Sequence, residues 1–104
     1  MAAAQTVSPA AGLSEHDAAA LAARLSALAH PTRLQLLSLI YAAPGSECST
    51  SDLRPFFTTS QPMLSKHLAV LRDAQIVLCD RRGRWHWYRL NLPVLCHLVQ
   101  KLPG

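Results

Sequence analysis

The stretch Ser60–Asp73, SQPMLSKHLAVLRD, decides the fold of this chain because it joins the start signals of a helix to a one-sided apolar stripe. Ser60 can cap the helix by accepting a hydrogen bond from a free backbone N–H of the first turn. Pro62 suits that turn, where its missing N–H leaves no hydrogen bond unmade. Three leucines recur at the spacing i, i+4 and i+7, namely Leu64, Leu68 and Leu71. The stretch therefore predicts an amphipathic helix that buries its leucine face in a core.

The opposite face of this helix carries small and polar side chains: Gln61, Pro62, Ser65, Lys66, Ala69 and Asp73. Such a face can approach the major groove of DNA closely and form hydrogen bonds with base edges. An ordinary amphipathic surface helix would show the same pattern, so the helix by itself leaves both interpretations open.

A short basic hairpin is predicted directly after the helix. Residues 76–81 have the β-forming composition of a strand, Arg82-Gly83 suits the turn, and residues 84–90 alternate aromatic and polar side chains as a half-buried return strand does. Three guanidiniums lie at the tip, those of Arg81, Arg82 and Arg84. A basic tip on a two-stranded ribbon suits contact with phosphates or the minor groove, and a tip charged only for solubility is the alternative. A helix followed by a basic hairpin is typical of a winged helix-turn-helix.

Composition and charge narrow the class of partner. The chain has 104 residues, the size of one domain, and half of them are apolar while 15% are charged. Lys and Arg outnumber Asp and Glu by ten to six, and six of the cations fall between residues 61 and 89 beside two acids. This basic region favours double-stranded DNA as the partner. A membrane is not predicted, because no apolar run reaches the roughly 20 residues that span a bilayer.

The compartment follows from the cysteines and the first residues. Residues 1–10 lack the basic start and the apolar stretch of a signal peptide. The three cysteines are far apart and show no spacing of a disulfide framework. Both observations predict a protein of the reducing cytoplasm.

The rest of the chain is predicted to be mainly helical. Residues 1–12 are expected to form a flexible tail and residues 13–104 a single domain. We expect a first helix over about 14–29, a second from Thr32 to about 42 with His30 as its cap, and a short third helix capped by Ser51. Five aliphatic residues of the second helix are expected to be largely buried: Leu34, Leu36, Leu37, Leu39 and Ile40.

Four motifs in order carry a family resemblance: Leu28-Ala29-His30-Pro31-Thr32-Arg33-Leu34, Asp52-Leu53 before Ser60-Gln61-Pro62, Ser65-Lys66-His67-Leu68 before Leu71-Arg72, and Gly83-Arg84 before Tyr88. With these motifs at these separations, residues 20–95 resemble the ArsR/SmtB group of bacterial transcriptional repressors. The resemblance implies a mainly α homodimeric winged helix-turn-helix with a small β-hairpin, in the order α-α-α-α-β-β-α. It also implies binding to an inverted-repeat operator and release when a metal or another signal binds.

A homodimer is also expected on physical grounds. The last helix, which begins near Pro93, carries an apolar stripe that so small a domain can hardly cover, and a second copy would cover it. Two copies would also place their recognition helices about 34 Å apart, one turn of DNA. With the first helix, which the resemblance adds to the interface, the expected contacts are Leu21, Leu25, Leu95, Leu98, Val99 and Leu102.

The sensing sites of the family are missing from this sequence. Arsenic-type members carry Cys-x-Cys just before Asp-Leu, and the equivalent positions here are Ser49 and Ser51, with Cys48 one position too early. Hydroxyls are poor ligands for soft metals, so this site is not expected to bind them. Zinc-type members place ligands early in the last helix, where this chain has Leu92 and Val94.

A nonstandard metal site remains one interpretation. His16, Asp17, Cys96 and His97 are candidate ligands for Zn or Ni, from one or both chains, if the first and last helices pack together. The alternative is that His16 and Asp17 are capping and surface residues and that Cys96 is a small core residue. No cofactor is certain from the sequence. Of the other thiols, Cys48 is expected to be exposed and Cys79 to be buried.

Other functions are weighed against DNA binding. No phosphate loop, nucleophile elbow, HExxH or paired carboxylate appears, so an enzyme is not expected. A regulator that is independent of metals and controlled by redox or by a sensory partner protein is an alternative. A winged helix that binds an acidic protein is another, and a preference for one DNA sequence would separate it from a repressor.

The sequence nominates eight DNA-contacting residues: Thr59, Ser60, Gln61, Ser65, Lys66, His67, Arg82 and Arg84. Gln61, Ser65 and Lys66 would contact the major groove, and Arg82 and Arg84 would contact the backbone from the hairpin. For His67, donation to a phosphate and packing on the third helix are left open.

Overall fold

The computed structural model describes residues 12–102, so the predicted flexible tail lies, apart from Gly12, outside the described residues. Within this range the chain forms five α-helices and three β-strands: α1 Glu15–Leu28, α2 Pro31–Ala42, β1 Glu47–Ser49, α3 Thr50–Leu53, α4 Gln61–Asp73, β2 Val77–Arg82, β3 Trp85–Leu90 and α5 Leu92–Lys101. Helix α3 is a single turn that continues as the 3-10 helix Arg54–Phe56. No helix among these residues is long and apolar enough to cross a membrane.

Local capping sets where the first two helices begin, as the sequence predicts. Ser14 Oγ accepts a hydrogen bond from the Asp17 N–H at 3.0 Å, and α1 begins at the next residue after Ser14. His30 Nδ1 accepts a hydrogen bond from the Thr32 N–H at 3.1 Å and caps α2. Both caps satisfy backbone donors that have no partner inside the helix.

The expected cap of α3 is wrong by two residues. Ser49, not Ser51, accepts a hydrogen bond from the Asp52 N–H at 3.2 Å, and Asp52 Oδ2 accepts the Ser49 N–H at 3.1 Å. This reciprocal pair is a capping box, which needs an acid or amide three residues after the cap. Asp52 stands at that distance from Ser49, whereas Ser51 lies inside the first turn and contacts the Ser49 hydroxyl at 3.0 Å.

The sheet has one strand more than the predicted hairpin. β2 and β3 form the antiparallel hairpin that we call the wing, and Gly83 at its turn has a φ of +62°. The additional strand, β1, pairs antiparallel with β3 and gives the order β1-β3-β2. β1 has three residues, too few to show the alternation that marks a strand in a sequence. The sheet thus joins the wing to the segment just before α3.

The core lies between α2, α4 and the sheet. Its fully buried side chains are Leu36, Ile40, Leu53, Leu64, Leu68, Leu71, Ile76 and Val77. The leucine face predicted for α4 is therefore confirmed, and each such side chain stabilises the fold by about 1.5–3 kcal/mol on burial. The prediction for Leu34 is wrong: 54% of it is exposed, whereas Leu36 and Ile40 are fully buried and Leu37 and Leu39 are partly buried against the core.

The cysteines lie elsewhere than the sequence suggests. Cys48 is buried on β1, where its Sγ lies 3.9 Å from the Leu39 carbonyl oxygen, so the expectation of an exposed thiol is wrong. Burial raises the pKa of this thiol, and the carboxylates of Asp52 and Glu47 add to the effect. Cys79 is half-buried against the core, and Cys96 is exposed rather than a core residue.

Candidate nucleic-acid interface

The start of α4 presents a polar, exposed face. Ser60 Oγ accepts a hydrogen bond from the Met63 N–H at 3.3 Å, which confirms the predicted cap. Gln61, Ser65 and Lys66 are exposed, and the Gln61 amide lies 3.4 Å from the Ser65 hydroxyl. Gln61 and Ser65 stand four residues apart and project from the same side of α4, and Lys66 is exposed farther round the helix. Their amide, hydroxyl and ammonium groups are those that contact base edges and phosphates.

His67 does not belong to this exposed face. Only 7% of it is exposed, its Nδ1 accepts a hydrogen bond from Arg33 Nε at 3.1 Å, and its ring centroid lies 4.4 Å from that of His30. Burial lowers the pKa of His67, and the positive charges of His30, Arg33 and Lys66 lower it further. The residue packs on α2 rather than on α3, and its burial removes it from the set of DNA-contacting residues.

Arg82 is engaged within the protein. Its guanidinium donates two hydrogen bonds to the Glu47 carboxylate, each at 2.8 Å, and lies 4.9 Å above the centroid of the Trp87 ring. Asp80 Oδ2 is 3.8 Å away. The ion pair lowers the pKa of Glu47 and raises that of Arg82. Arg82 thus joins the end of β2 to β1, and a contact with DNA would have to compete with Glu47.

Arg84 presents a free guanidinium at the wing tip. It is exposed, and within residues 12–102 its side chain makes no hydrogen bond or ion pair. By contrast, Arg81 Nε donates to the Gly83 carbonyl at 3.2 Å. Of the three arginines at the tip, Arg84 is therefore the one with all of its N–H donors available to a phosphate, whereas Arg81 keeps its charge but uses one donor.

A cleft of about 720 Å³ separates α4 from the wing, and we call it the α4–wing cleft. Gln61, Ser65 and Arg72 line it from α4, Arg84 from the wing, and Arg54 from the segment after α3. Sequence reasoning missed two of these arginines. Arg72 follows Gln61 at i+11, so the helical period could have placed it on the same face of α4 as Gln61. Arg54 has no such signal, because only the fold brings the end of α3 beside α4.

The four candidate metal ligands are not assembled within one protomer. Asp17 and His97 line one small cavity of about 210 Å³ between α1 and α5, together with Arg24 and Lys101. His16 and Cys96 do not line it, and no three His, Cys, Asp or Glu side chains of residues 12–102 gather at one point. The two cations beside Asp17 and His97 also oppose a bound metal ion.

The apolar faces of α1 and α5 are only partly covered. Val99 is 66% exposed and Leu102 40% exposed, while Leu21, Leu25 and Leu95 are half-buried. Leu98, in contrast, is only 4% exposed within the protomer, so its assignment to a dimer interface is corrected. The exposed part of this surface is centred on the last two turns of α5.

Comparisons with known proteins agree with this architecture. A family model described as a helix-turn-helix domain matches residues 28–80. The chain is 36% identical over 78 residues to the arsenical resistance operon repressor of Staphylococcus aureus, covering 75% of this chain and 72% of the relative. It is 33% identical over 69 residues to the transcriptional repressor SdpR of Bacillus subtilis, covering 66% and 73%.

Two solved structures show the same fold. An ArsR-like transcriptional regulator from Rhodococcus sp. RHA1 superposes with a TM-score of 0.71 at 28% identity, covering 82% of this chain and 77% of that one. The transcriptional repressor BigR from Xylella fastidiosa superposes with a TM-score of 0.65 at 34% identity, covering 83% and 85%.

Proposed function

Because this chain belongs to the ArsR family of winged helix-turn-helix transcriptional regulators, we propose that it acts as a homodimeric repressor on an inverted-repeat operator. One observation carries the proposal. The exposed polar start of α4 and the free guanidinium of Arg84 border the same cleft, which arginines line. This cleft has the shape and charge to hold a DNA strand.

The geometry suggests how each half-site is bound. A helix that reads the major groove and a wing that reaches the next minor groove lie on either side of the sugar-phosphate strand between the two grooves. That strand would occupy the α4–wing cleft, with its phosphates next to Arg54, Arg72 and Arg84. Neutralising several phosphates in this way supplies much of the affinity of DNA-binding proteins.

The individual roles follow from position on α4. Gln61 and Ser65 lie on the face that borders the cleft and would contact base edges. Lys66 is exposed beside them and would bind a phosphate. Thr59 and Ser60 precede α4, where their hydroxyls can contact the DNA backbone. Ser60 also caps the first turn of the helix.

Dimerisation would proceed through α1 and α5. The exposed side chains of Val99 and Leu102 lose contact with water only if a second copy covers them, and a twofold arrangement presents the same patch on both chains. Two copies give two α4 helices for the two halves of a palindrome, which raises both affinity and specificity. Such a regulator works where the DNA is, in the cytoplasm.

The signal that releases the operator is not arsenic bound in the manner of the arsenic-type members. Ser49 and Ser51 stand at the positions where the arsenic-type members carry the two cysteines of Cys-x-Cys. The Ser49 hydroxyl caps α3. A Zn or Ni site that uses Asp17 and His97 would need ligands from both protomers, because one protomer brings only these two candidates together.

A disulfide between the two cysteines of the sheet is not a suitable alternative signal. Cys48 and Cys79 both pair with Tyr88 from opposite sides, so they stand two strands apart. Two strand spacings place their Cα atoms about 9–10 Å apart, beyond the roughly 7 Å that a disulfide spans. Control by redox at another thiol, such as the exposed Cys96, or by a sensory partner protein remains the alternative to a metal shared between protomers.

A titration against DNA tests the proposal. The purified protein is titrated into labelled DNA from its own upstream promoter and into a shuffled sequence of equal length, with Zn(II), Ni(II), As(III) or chelator. We expect saturable, sequence-selective binding by two protomers per site. Equal affinity for both DNAs would refute the proposal and favour binding to an acidic protein.

A further inference from the structure

A second cavity, of about 640 Å³, lies among α2, β1, α3 and β3, and we call it the β1 cavity. Its volume falls within the roughly 300–1,000 Å³ typical of small-molecule sites. It shares no lining residue with the α4–wing cleft. A molecule bound there would therefore leave the proposed DNA surface open.

The lining of the β1 cavity combines aromatic and acidic side chains. Phe56 and Trp87 supply aromatic surface, Leu39 supplies aliphatic surface, and the carboxylates of Glu47 and Asp52 stand at the same cavity. These are two of only six acidic residues in a chain of net charge +4. Aromatic rings and carboxylates together attract cations, and the apolar surface favours one with an organic body over a hydrated metal ion.

One cationic side chain of the protein, that of Arg82, already contacts an aromatic ring and a carboxylate that line the cavity. The Arg82 guanidinium lies over the Trp87 ring at 4.9 Å and forms both of its short hydrogen bonds with Glu47. This pair is exposed to solvent, with 45% of the Arg82 side chain accessible, so another cation can reach Glu47. Arg82 does not itself line the β1 cavity, but its two partners Glu47 and Trp87 do, so a cation bound in the cavity would share these partners with Arg82.

We propose that the β1 cavity binds a small organic cation with an apolar body, such as an aromatic amine or a quaternary ammonium compound, which competes with Arg82 for Glu47. The apolar body occupies the space beside Leu39 and Phe56. The positive charge takes the place of the guanidinium at Glu47 and Trp87. The two carboxylates repel an anion, and a neutral molecule lacks the charge attraction that a cation gains from them.

Displacement of Arg82 from Glu47 would change the charge that the wing presents to DNA. Arg82 is the last residue of β2, one residue before the turn, and its release would add an unpaired positive charge beside the wing tip. This consequence rests on the proposed function: one additional phosphate contact would strengthen operator binding and steepen its salt dependence by about one counterion.

Calorimetric titration of the DNA-free protein with benzyltrimethylammonium tests the site. Benzyl alcohol and benzoate, at matched ionic strength, serve as the neutral and anionic comparisons. We expect one saturable site per protomer for the cation alone. Equal binding of all three compounds, or no saturable binding of the cation at millimolar concentration, would overturn the proposal.

Two variants with opposite expected effects make the test specific. Arg82→Met removes the side chain that competes with the cation for Glu47. It should tighten cation binding about tenfold, because Glu47 is then free in most molecules before the cation binds. Glu47→Gln should weaken it at least as much, and the exposed acid of α1 in Glu15→Gln should leave it unchanged. Misfolding could not strengthen binding in one variant and weaken it in another. Equal affinities in all three variants would place any bound cation elsewhere.

The consequence for DNA is measured separately. Operator affinity of the wild-type protein is compared with and without benzyltrimethylammonium at fixed ionic strength. A protein that binds the cation but no DNA would refute the proposed function and leave the site intact. A protein that binds DNA but not the cation would refute the proposed cation site and leave the proposed function intact.

Discussion

Arg33 Nε donates a hydrogen bond to Nδ1 of His67 over 3.1 Å, and this bond joins the first turn of α2 to the buried side of α4. The acceptor must be an unprotonated nitrogen, so the bond exists only while His67 is neutral with its proton on Nε2. Burial and the neighbouring charges of His30, Arg33 and Lys66 keep the pKa of His67 below its ordinary value of 6.5. The packing of α4 on α2 is thus linked to the protonation of a buried histidine.

We expect His67 to make the protein less stable in mild acid. Its pKa is lower in the folded than in the unfolded chain, so between those two values the unfolded chain binds more protons. The free energy of unfolding therefore falls as pH drops below about 6.5 toward the folded-state pKa. Urea unfolding between pH 7.5 and pH 5 measures this slope. His67→Gln should flatten it, the exposed His86→Gln should not, and an unchanged slope in His67→Gln would contradict the assignment.

Gln61 and Lys66 should separate specificity from affinity. Lys66→Ala removes a phosphate contact, so it should weaken binding to operator and shuffled DNA by the same factor and reduce the salt slope by about 1. Gln61→Ala should reduce discrimination at one or two base pairs by about 1–3 kcal/mol. Fluorescence anisotropy across a range of salt concentrations measures both. Unchanged binding in both variants would remove α4 from the DNA interface.

The two wing arginines should differ in their effects. Arg84→Ala should weaken DNA binding and reduce the salt slope by about 1, because the guanidinium of Arg84 is free. Arg82→Ala should change DNA affinity less but lower the melting temperature, because it removes the pair with Glu47. The same anisotropy series and a thermal melt report the two properties. A larger loss of affinity in Arg82→Ala would show that DNA displaces Glu47.

A charge on the exposed face of α5 should prevent dimerisation. Val99→Asp places an unpaired carboxylate in a surface that we expect to be buried between protomers, at a cost of several kcal/mol. Sedimentation velocity should then show monomers, and operator affinity should fall with the loss of the second half-site. Phe56→Asp, a change at a side chain 65% exposed outside α1 and α5, should leave the dimer intact.

Two substitutions should give the chain an affinity for arsenite that we do not expect of the wild-type protein. Ser49 and Ser51 hold their hydroxyl oxygens 3.0 Å apart, so S49C/S51C places two thiols side by side, and thiolates bind soft As(III). Calorimetric titration with arsenite should detect binding only in this variant. S49A/S51A is the matched control, because it loses the Ser49 cap, worth about 1 kcal/mol, without gaining thiols. Equal binding by the wild-type protein would contradict the prediction.

Local features were predictable from the sequence, whereas contacts across the fold were not. The caps by Ser60 and His30 and the leucine face of α4 depend on residues a few positions apart. The burial of Cys48 depends on a strand that forms only when β3, some 40 residues later, pairs with it. The pair Arg82–Glu47 spans 35 positions for the same reason.

The burial of His67 shows the same limit within α4. Its spacing from Leu64 and Leu71 is helical, and its chemistry suits either a phosphate or a packed interior. Only the position of Arg33 and His30 on α2 decides between them.

Strand β1 ties the wing to the helix-turn-helix at a second place, since it pairs with β3 and passes directly into α3 at Thr50. The two parts that we propose to face DNA are thus joined through the sheet as well as through the segment after α4. Each base pair inserted between the two contacts of a half-site would move the position contacted in the minor groove away from the position contacted in the major groove. The displacement is about 3.4 Å along the DNA axis and about 35° around it. Because the sheet holds the wing beside the helix-turn-helix, we expect the spacing between the two contacts of a half-site to be as strictly fixed as its bases.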